Sequence, residues 1–145
     1  MKWTLVAVLV TMAACGANSE TPEQRLIGKW AYSDTSSWGG LQFYSTSAYG
    51  AETLQPTSTT TANEESERGV FSASETEITF TPQGYSCPGP EPVYTLPYQF
   101  NGDVLVVTYQ TGSVSLSPNT AFPSWSASVT YGCFQSDGSF VEVTP

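Results

Sequence analysis

Along much of this chain, apolar side chains recur at every second position in short runs bounded by Gly, Pro, Asn or Asp. That period belongs to strands with one buried face, because successive side chains of a strand point to opposite sides. In residues 76–81, Ile78 and Phe80 share one face while Glu77, Thr79 and Thr81 share the other. Tyr94, Leu96, Tyr98 and Phe100 line one face of the next run. Asn101-Gly102 then predicts a type I′ hairpin turn, with residues 103–109 as the returning strand. Trp125, Ala127, Val129, Tyr131 and Cys133 alternate with Ser124, Ser126, Ser128 and Thr130, which puts Cys133 on an inward register. Asp137-Gly138 marks another turn, after which residues 140–143 are placed to close the sheet.

The first half of the chain reads less sharply. Residues 28–32 form a first strand, and residues 41–45 a second, with Trp38 in the loop before Gly39-Gly40. Residues 49–54 and 57–61 are polar, Thr-rich strand candidates, residues 63–67 (Asn-Glu-Glu-Ser-Glu) an acidic turn, and residues 69–71 a short strand. Pro88, Pro90 and Pro92 with Gly84 and Gly89 make residues 83–92 an irregular loop. Thr21 as N-cap, Pro22 at the first helical position, Glu23 in the first turn and Gly28 as the stop predict a turn or two of helix. Strand signals at intervals of about ten residues suggest a sandwich or a barrel, and the hairpins favour the barrel. The expectation is a single all-β domain: an antiparallel up-and-down β-barrel of about eight strands behind a short N-terminal helical turn.

The chain begins differently. After Lys2, residues 3–14 carry no charge, and Cys15 follows. A membrane-spanning helix needs about 20 apolar residues, so this run suits the apolar region of an export signal instead. Met12-Ala13-Ala14-Cys15 resembles the lipobox of bacterial lipoproteins. The resemblance implies that residues 1–14 are removed, that Cys15 receives a diacylglyceryl thioether, and that the new amino terminus is acylated. Residues 15–23 would then be lipidated cysteine and tether, and residues 24–145 the domain. Each buried CH₂ contributes about 0.8 kcal/mol, so two or more chains anchor stably. Gly16, where an aspartate commonly favours inner-membrane retention, implies a cell-envelope protein of the outer membrane.

A second likeness lies in Leu26-Ile-Gly28-Lys-Trp30, which resembles the Gly-x-Trp start of lipocalins, where a short helix enters the first strand and the tryptophan packs across one barrel end. The hairpin of residues 94–108 has a rhythm that also recurs in lipocalin-like domains. Lipocalins place a basic residue on a late strand over that tryptophan, whereas nothing after Arg68 is basic here; the implied domain is therefore lipocalin-like.

Charge and cysteines narrow the chemistry. With Lys2 removed, Arg25, Lys29 and Arg68 face 13 carboxylates, a net charge of 3 − 13 = −10. That disfavours nucleic acid and anionic headgroups as partners. With Cys15 assigned to lipid, Cys87 and Cys133 most simply form one disulfide in an oxidising compartment. The chain has no histidine, no Gly-x-Ser-x-Gly elbow and no CxxC, so neither a metal site nor catalysis is expected, and no cofactor. Glu64, Glu65 and Glu67 lack the spacing of a calcium loop and read as a solvated turn. Asp34 with Asp103 forms no recognisable catalytic pair.

Aromatic residues remain. Trp30 reads as packing, Tyr85 and Tyr131 as cover for the disulfide, and Trp38, Tyr98 and Trp125 as candidate lining of a ligand pocket. The functional expectation is a non-catalytic, membrane-anchored barrel that binds a small hydrophobic or amphipathic molecule. The alternative is a filled barrel serving structure or protein interaction; no particular protein partner is indicated.

Overall fold

The computed structural model describes residues 20–33, 37–59, 61–87, 89, 92–118, 128–135, 137 and 139–143. The expectations for the lipobox and Cys15, for most of the tether, and for Asp34 and Trp125 lie outside the described residues.

One short helix, α1 (Pro22–Leu26), precedes ten strands: β1 (Gly28–Ser33), β2 (Trp38–Phe43), β3 (Ala48–Pro56), β4 (Thr61–Ala73), β5 (Glu77–Tyr85), β6 (Tyr94–Asn101), β7 (Val104–Tyr109), β8 (Gly112–Pro118), β9 (Ser128–Phe134) and β10 (Phe140–Glu142). Strands β1 to β8 pair in chain order, and β1 returns to β8 through Trp30↔Pro118 and Ala31↔Ser117. The result is a closed eight-stranded antiparallel up-and-down barrel, as the alternation predicts. Closure removes the open edges that a flat sheet would expose.

Helix α1 forms where its caps dictate. Thr21 N–H donates to Gln24 Oε1 at 2.8 Å while Gln24 N–H donates to Thr21 Oγ1, a complete capping box, and Pro22 sits in the first turn. Gly28 then takes a φ of 139°, a conformation that favours glycine, as the chain swings from helix to strand. Trp30 is buried at this end of the barrel. Its indole N–H donates to Leu26 O at 2.7 Å, and its ring lies 5.7 Å from that of Phe100. Over Phe100, at 4.7 Å, sits the Arg25 guanidinium.

Side chains from every stave fill the lumen on the α1 side. Leu26, Phe43, Tyr49, Ile78, Phe80, Leu105 and Val107 are between 0% and 2% exposed. Phe43 meets Phe71 edge-on at 4.7 Å, and Tyr49 meets Phe80 at 4.9 Å. Ala31, Trp38, Leu54 and Ala62 form a separate buried cluster on the opposite face of the wall.

Several local expectations are corrected. The acidic residues 63–67 form no turn; they run through the middle of β4, whose 13 residues make it the longest strand. Residues 57–59 make the turn instead, where the amides of Thr57 and Ser58 both donate to Thr61 O. Trp38 begins β2 rather than lying in a loop, because Gly39 and Gly40 continue the ladder against Tyr32 and Ala31. Residues 83–85 belong to β5: Arg68 pairs with Gly84 and Gly69 with Pro82, so one extra residue, Gln83, is absorbed as a bulge that accommodates the proline. The β6–β7 turn is centred on Gly102-Asp103, since Asn101 pairs with Val104. Gly102 alone of the two has positive φ, 62°, which makes the turn of the II′ sort rather than I′.

The largest difference concerns β9 and β10. They form a hairpin outside the ring, and β9 lies parallel to β4, pairing Thr61–Glu64 with Ser128–Tyr131. Residues 140–143 therefore extend the sheet beyond the barrel without closing it. The alternating face of Val129, Tyr131 and Cys133 is no lumen face: Tyr131 is 52% exposed. Both β9 and β5 use the same edge of β4, β9 along residues 61–64 and β5 along residues 67–73. Their ends meet at Ser66, whose N–H and C=O both bond to Ser86.

The Cys87–Cys133 disulfide, with a sequence separation of 46, closes that junction. Ser86 Oγ adds a bond to Gly132 O at 2.8 Å. In the entropic model, a loop of this size restricts the unfolded chain by about 4 kcal/mol. Replacing both cysteines by alanine should lower urea-unfolding stability by an amount of this order. Amide exchange should rise first at Tyr131–Phe134, with Phe80 and Val107 still protected. Unchanged stability in the double variant would show that the bridge constrains nothing.

Candidate functional site

The feature that sequence reasoning missed lies in the upper lumen, away from α1. Pairing of β4 with β3 sets Glu67 beside Ala51 and Glu65 beside Thr53, on the side of the sheet that carries Gly69 and Phe71. Both carboxylates thus face inward from one strand. Isolated there they would be costly, and each is met by donors. Glu67 Oε1 accepts from the hydroxyls of Tyr49 on β3 and Tyr94 on β6, the latter at 2.7 Å. Glu65 accepts from the Tyr85 hydroxyl at 2.7 Å through Oε1 and from the Phe134 backbone N–H at 2.6 Å through Oε2. Phe80 supports the group from below, stacked on Tyr94 at 5.0 Å and edge-on to Tyr49.

The electrostatics follow from this placement. Burial, reinforced by the hydrogen bond to Glu67, pushes the Tyr94 hydroxyl far above the usual phenol range. Burial also raises Tyr109 to about 12, with Tyr32 and Glu67 adding to the effect. Tyr94 and Tyr109 are thus neutral phenols at physiological pH, and Tyr94 is a donor to Glu67. The arrangement therefore places charge-assisted hydrogen bonds inside a barrel wall, and they are worth roughly twice a neutral pair.

Of the residues expected to bind a ligand, Trp125 lies outside the described residues, and Trp38 and Tyr98 are not brought together. Trp38 belongs to the outer-face cluster with Ala31 and Leu54, while Tyr98 is buried in the core at the α1 end, its hydroxyl donating to Ser74 O at 2.8 Å. They lie on opposite faces of the wall and line no common pocket. Tyr85 serves Glu65 beside the disulfide, and Tyr131 points to solvent. Hollows do occur among the described residues. One, of about 360 Å³, is lined by Ala31, Ser33, Trp38, Ser115 and Ser117 along β1, β2 and β8. Another, of about 350 Å³, lies at the α1 rim between Glu20, Arg25, Trp30, Phe100 and Asp103. Neither opens into the Glu65–Glu67 region. Among the described residues, no group of three or more His, Cys, Asp or Glu is arranged to hold a metal ion.

Glu65 and Glu67 had a legible signal in the alternation. Counting back by twos from Phe71 and Gly69 reaches Glu67 and then Glu65. Searches of protein-family models, curated proteins and solved structures return no match for the chain.

Two predictions arise from these carboxylates. Glu67→Ala leaves the Tyr49 and Tyr94 hydroxyls without their acceptor and should cost about 1–3 kcal/mol in urea unfolding. Adding Tyr94→Phe to that variant should cost little more, and full additivity would mean the bond is energetically idle. On the outer face, Glu64 lies between Leu54 and Tyr131 in the ladder, and burial, then the charge of Glu52, raises its pKa above the ordinary carboxylate value. The folded chain then holds this proton more tightly than the unfolded chain. Stability from this group is full below the ordinary value and declines as pH rises through the raised one. Glu64→Gln should therefore raise the melting temperature at pH 7 and flatten its decline from pH 4 to 7; an unchanged pH profile would contradict the assignment.

Proposed function

We propose that this protein is a lipid-anchored envelope lipoprotein whose lipocalin-like barrel is filled, so that it acts through its outer surface rather than by carrying a ligand inside. The observation that carries the reading is the packed lumen. Phe43, Tyr49, Ile78, Phe80, Leu105 and Val107, from β2, β3, β5 and β7, meet with at most 2% exposure, and Trp30, Phe71, Tyr98 and Leu116 from the other staves are buried with them. An eight-stranded barrel is only just wide enough for such a filling. Above it, the tyrosine hydroxyls and glutamates satisfy one another, and a guest would have to break those bonds.

The Met12-Ala13-Ala14-Cys15 sequence supports the anchor at Cys15. The capped helix, buried Trp30 and β1–β8 closure support the lipocalin-like description. The absence of histidine and the internally satisfied carboxylates favour a non-catalytic role.

The test combines location with content. In a bacterial host, wild-type protein should fractionate with membranes, and Cys15→Ser should release it with an unchanged β-sheet circular dichroism spectrum. Native mass spectrometry of the released form should show the apoprotein mass, and a fluorescent fatty-acid analogue should gain no emission on titration. A stoichiometric co-purified lipid, or saturable dye binding, would overturn the filled-barrel reading in favour of a carrier. Membrane association of Cys15→Ser by the same route would overturn the anchor.

A further inference from the structure

We infer that the outer edge of β10 is a docking strand for an extended, basic segment of a partner protein, which would add to the β9–β10 ladder. The inference rests on the reading that this barrel acts from its outer surface. Every stave of the ring is paired on both sides, and β9 is held between β4 and β10. Among the described strands, β10 is the one with no strand at all along one side, whereas the gaps in the ring, such as β8 short of Ser117 against β1, lie between neighbouring staves.

The register shows which groups are offered there. Gln135 N–H donates to Ser139 O and Val143 N–H donates to Tyr131 O. In an antiparallel ladder the bonded pairs alternate, so Val141 faces Cys133 while Phe140 and Glu142 turn their N–H and C=O groups outward. An incoming strand would find two donors and two acceptors in the spacing that strand addition requires.

Side chains specify the occupant. Val141, on β10 itself, is 50% exposed and offers an apolar cross-strand neighbour to one side chain of the added strand. The neighbouring position on β10, facing the other way, is exposed Glu142. A matching segment alternates: an apolar residue beside Val141, then Lys or Arg opposite Glu142. The surroundings favour that sign of charge, because residues 69–145 contain six carboxylates and no Lys, Arg or His. The same charge argues against a second copy of this chain, which would bring a net −9 to a surface already acidic.

The test uses the whole protein, labelled with ¹⁵N, titrated at low salt with a six-residue peptide alternating lysine and valine. The same peptide with glutamate for lysine is the control. The lysine peptide should shift and slow the exchange of the Phe140 and Glu142 amides, and the glutamate peptide should not. Glu142→Lys should weaken the lysine peptide on the order of tenfold and reverse the preference between the two peptides. Three results would overturn the inference: shifts spread over the barrel without slowed exchange at β10, an unchanged response in Glu142→Lys, or concentration-dependent self-association through β10 in sedimentation without peptide. A lipid found in the lumen would count against the surface-acting reading and leave the amide result as measured. An empty lumen with a silent β10 would count against the docking strand alone.

Discussion

A strand bearing Glu65 and Glu67 on its inward side can pass through a barrel wall only where each carboxylate meets a donor. Both carboxylates are half-buried, and drawing a charge partly out of water without a partner is costly. Here the donors are the hydroxyls of Tyr49, Tyr85 and Tyr94 and the amide of Phe134. They come from β3, β5, β6 and β9, so satisfying two residues of β4 sets the position of four other strands around it. The lumen is consequently divided. Below, aromatic and aliphatic side chains exclude water; above, a small set of tyrosines and glutamates holds the staves by directed bonds.

The length of β4 has a second consequence. Its far edge is too long for β5 alone, and the portion from Thr61 to Glu64 is taken by β9 running parallel. A short parallel pairing is slightly less stable per residue than an antiparallel one. Its neighbours compensate: Glu65 reaches Phe134, Ser86 reaches Gly132, and the disulfide joins Cys87 to Cys133 at the point where the two strands meet. The bridge therefore acts on the appended hairpin rather than on the ring, which closes through β1 and β8 without it.

The strands whose inward positions are apolar were readable from the sequence. Ile78 and Phe80, and Tyr94 to Phe100, alternate cleanly because their inward neighbours are carbon. Strand β4 keeps the same alternation, but its inward residues past Gly69 are glutamates, and their polarity suggests a solvated turn until their tyrosine partners are known. Those partners are distant in sequence, 27 residues away for Tyr94 and Glu67, and no local pattern links them. Trp38 misleads for the opposite reason. Paired glycines beside it imply a loop, yet Gly39 is needed where the Tyr32 ring approaches to 2.2 Å of the position a Cβ would take. The pairing of Cys87 with Cys133 was accessible through counting, once the lipobox-like sequence set Cys15 aside; the parallel register that brings them together was not.

On the proposed surface-acting reading, the divided lumen also bears on where recognition would occur. A guest entering the upper half must displace hydrogen bonds that tyrosine and glutamate already make to each other, each worth more than a neutral pair. A guest entering the lower half must displace side chains packed as tightly as a protein interior. Neither cost falls on a ligand at the outer wall, where the β9–β10 hairpin leaves backbone groups and apolar side chains uncovered. Charge then sorts among outer-surface partners. The barrel's bases are confined to Arg25, Lys29 and Arg68, and Arg25 is already engaged over Phe100. Everything beyond β4 is acidic or neutral, so long-range attraction from that surface acts on cations alone, and it weakens with salt over about 10 Å.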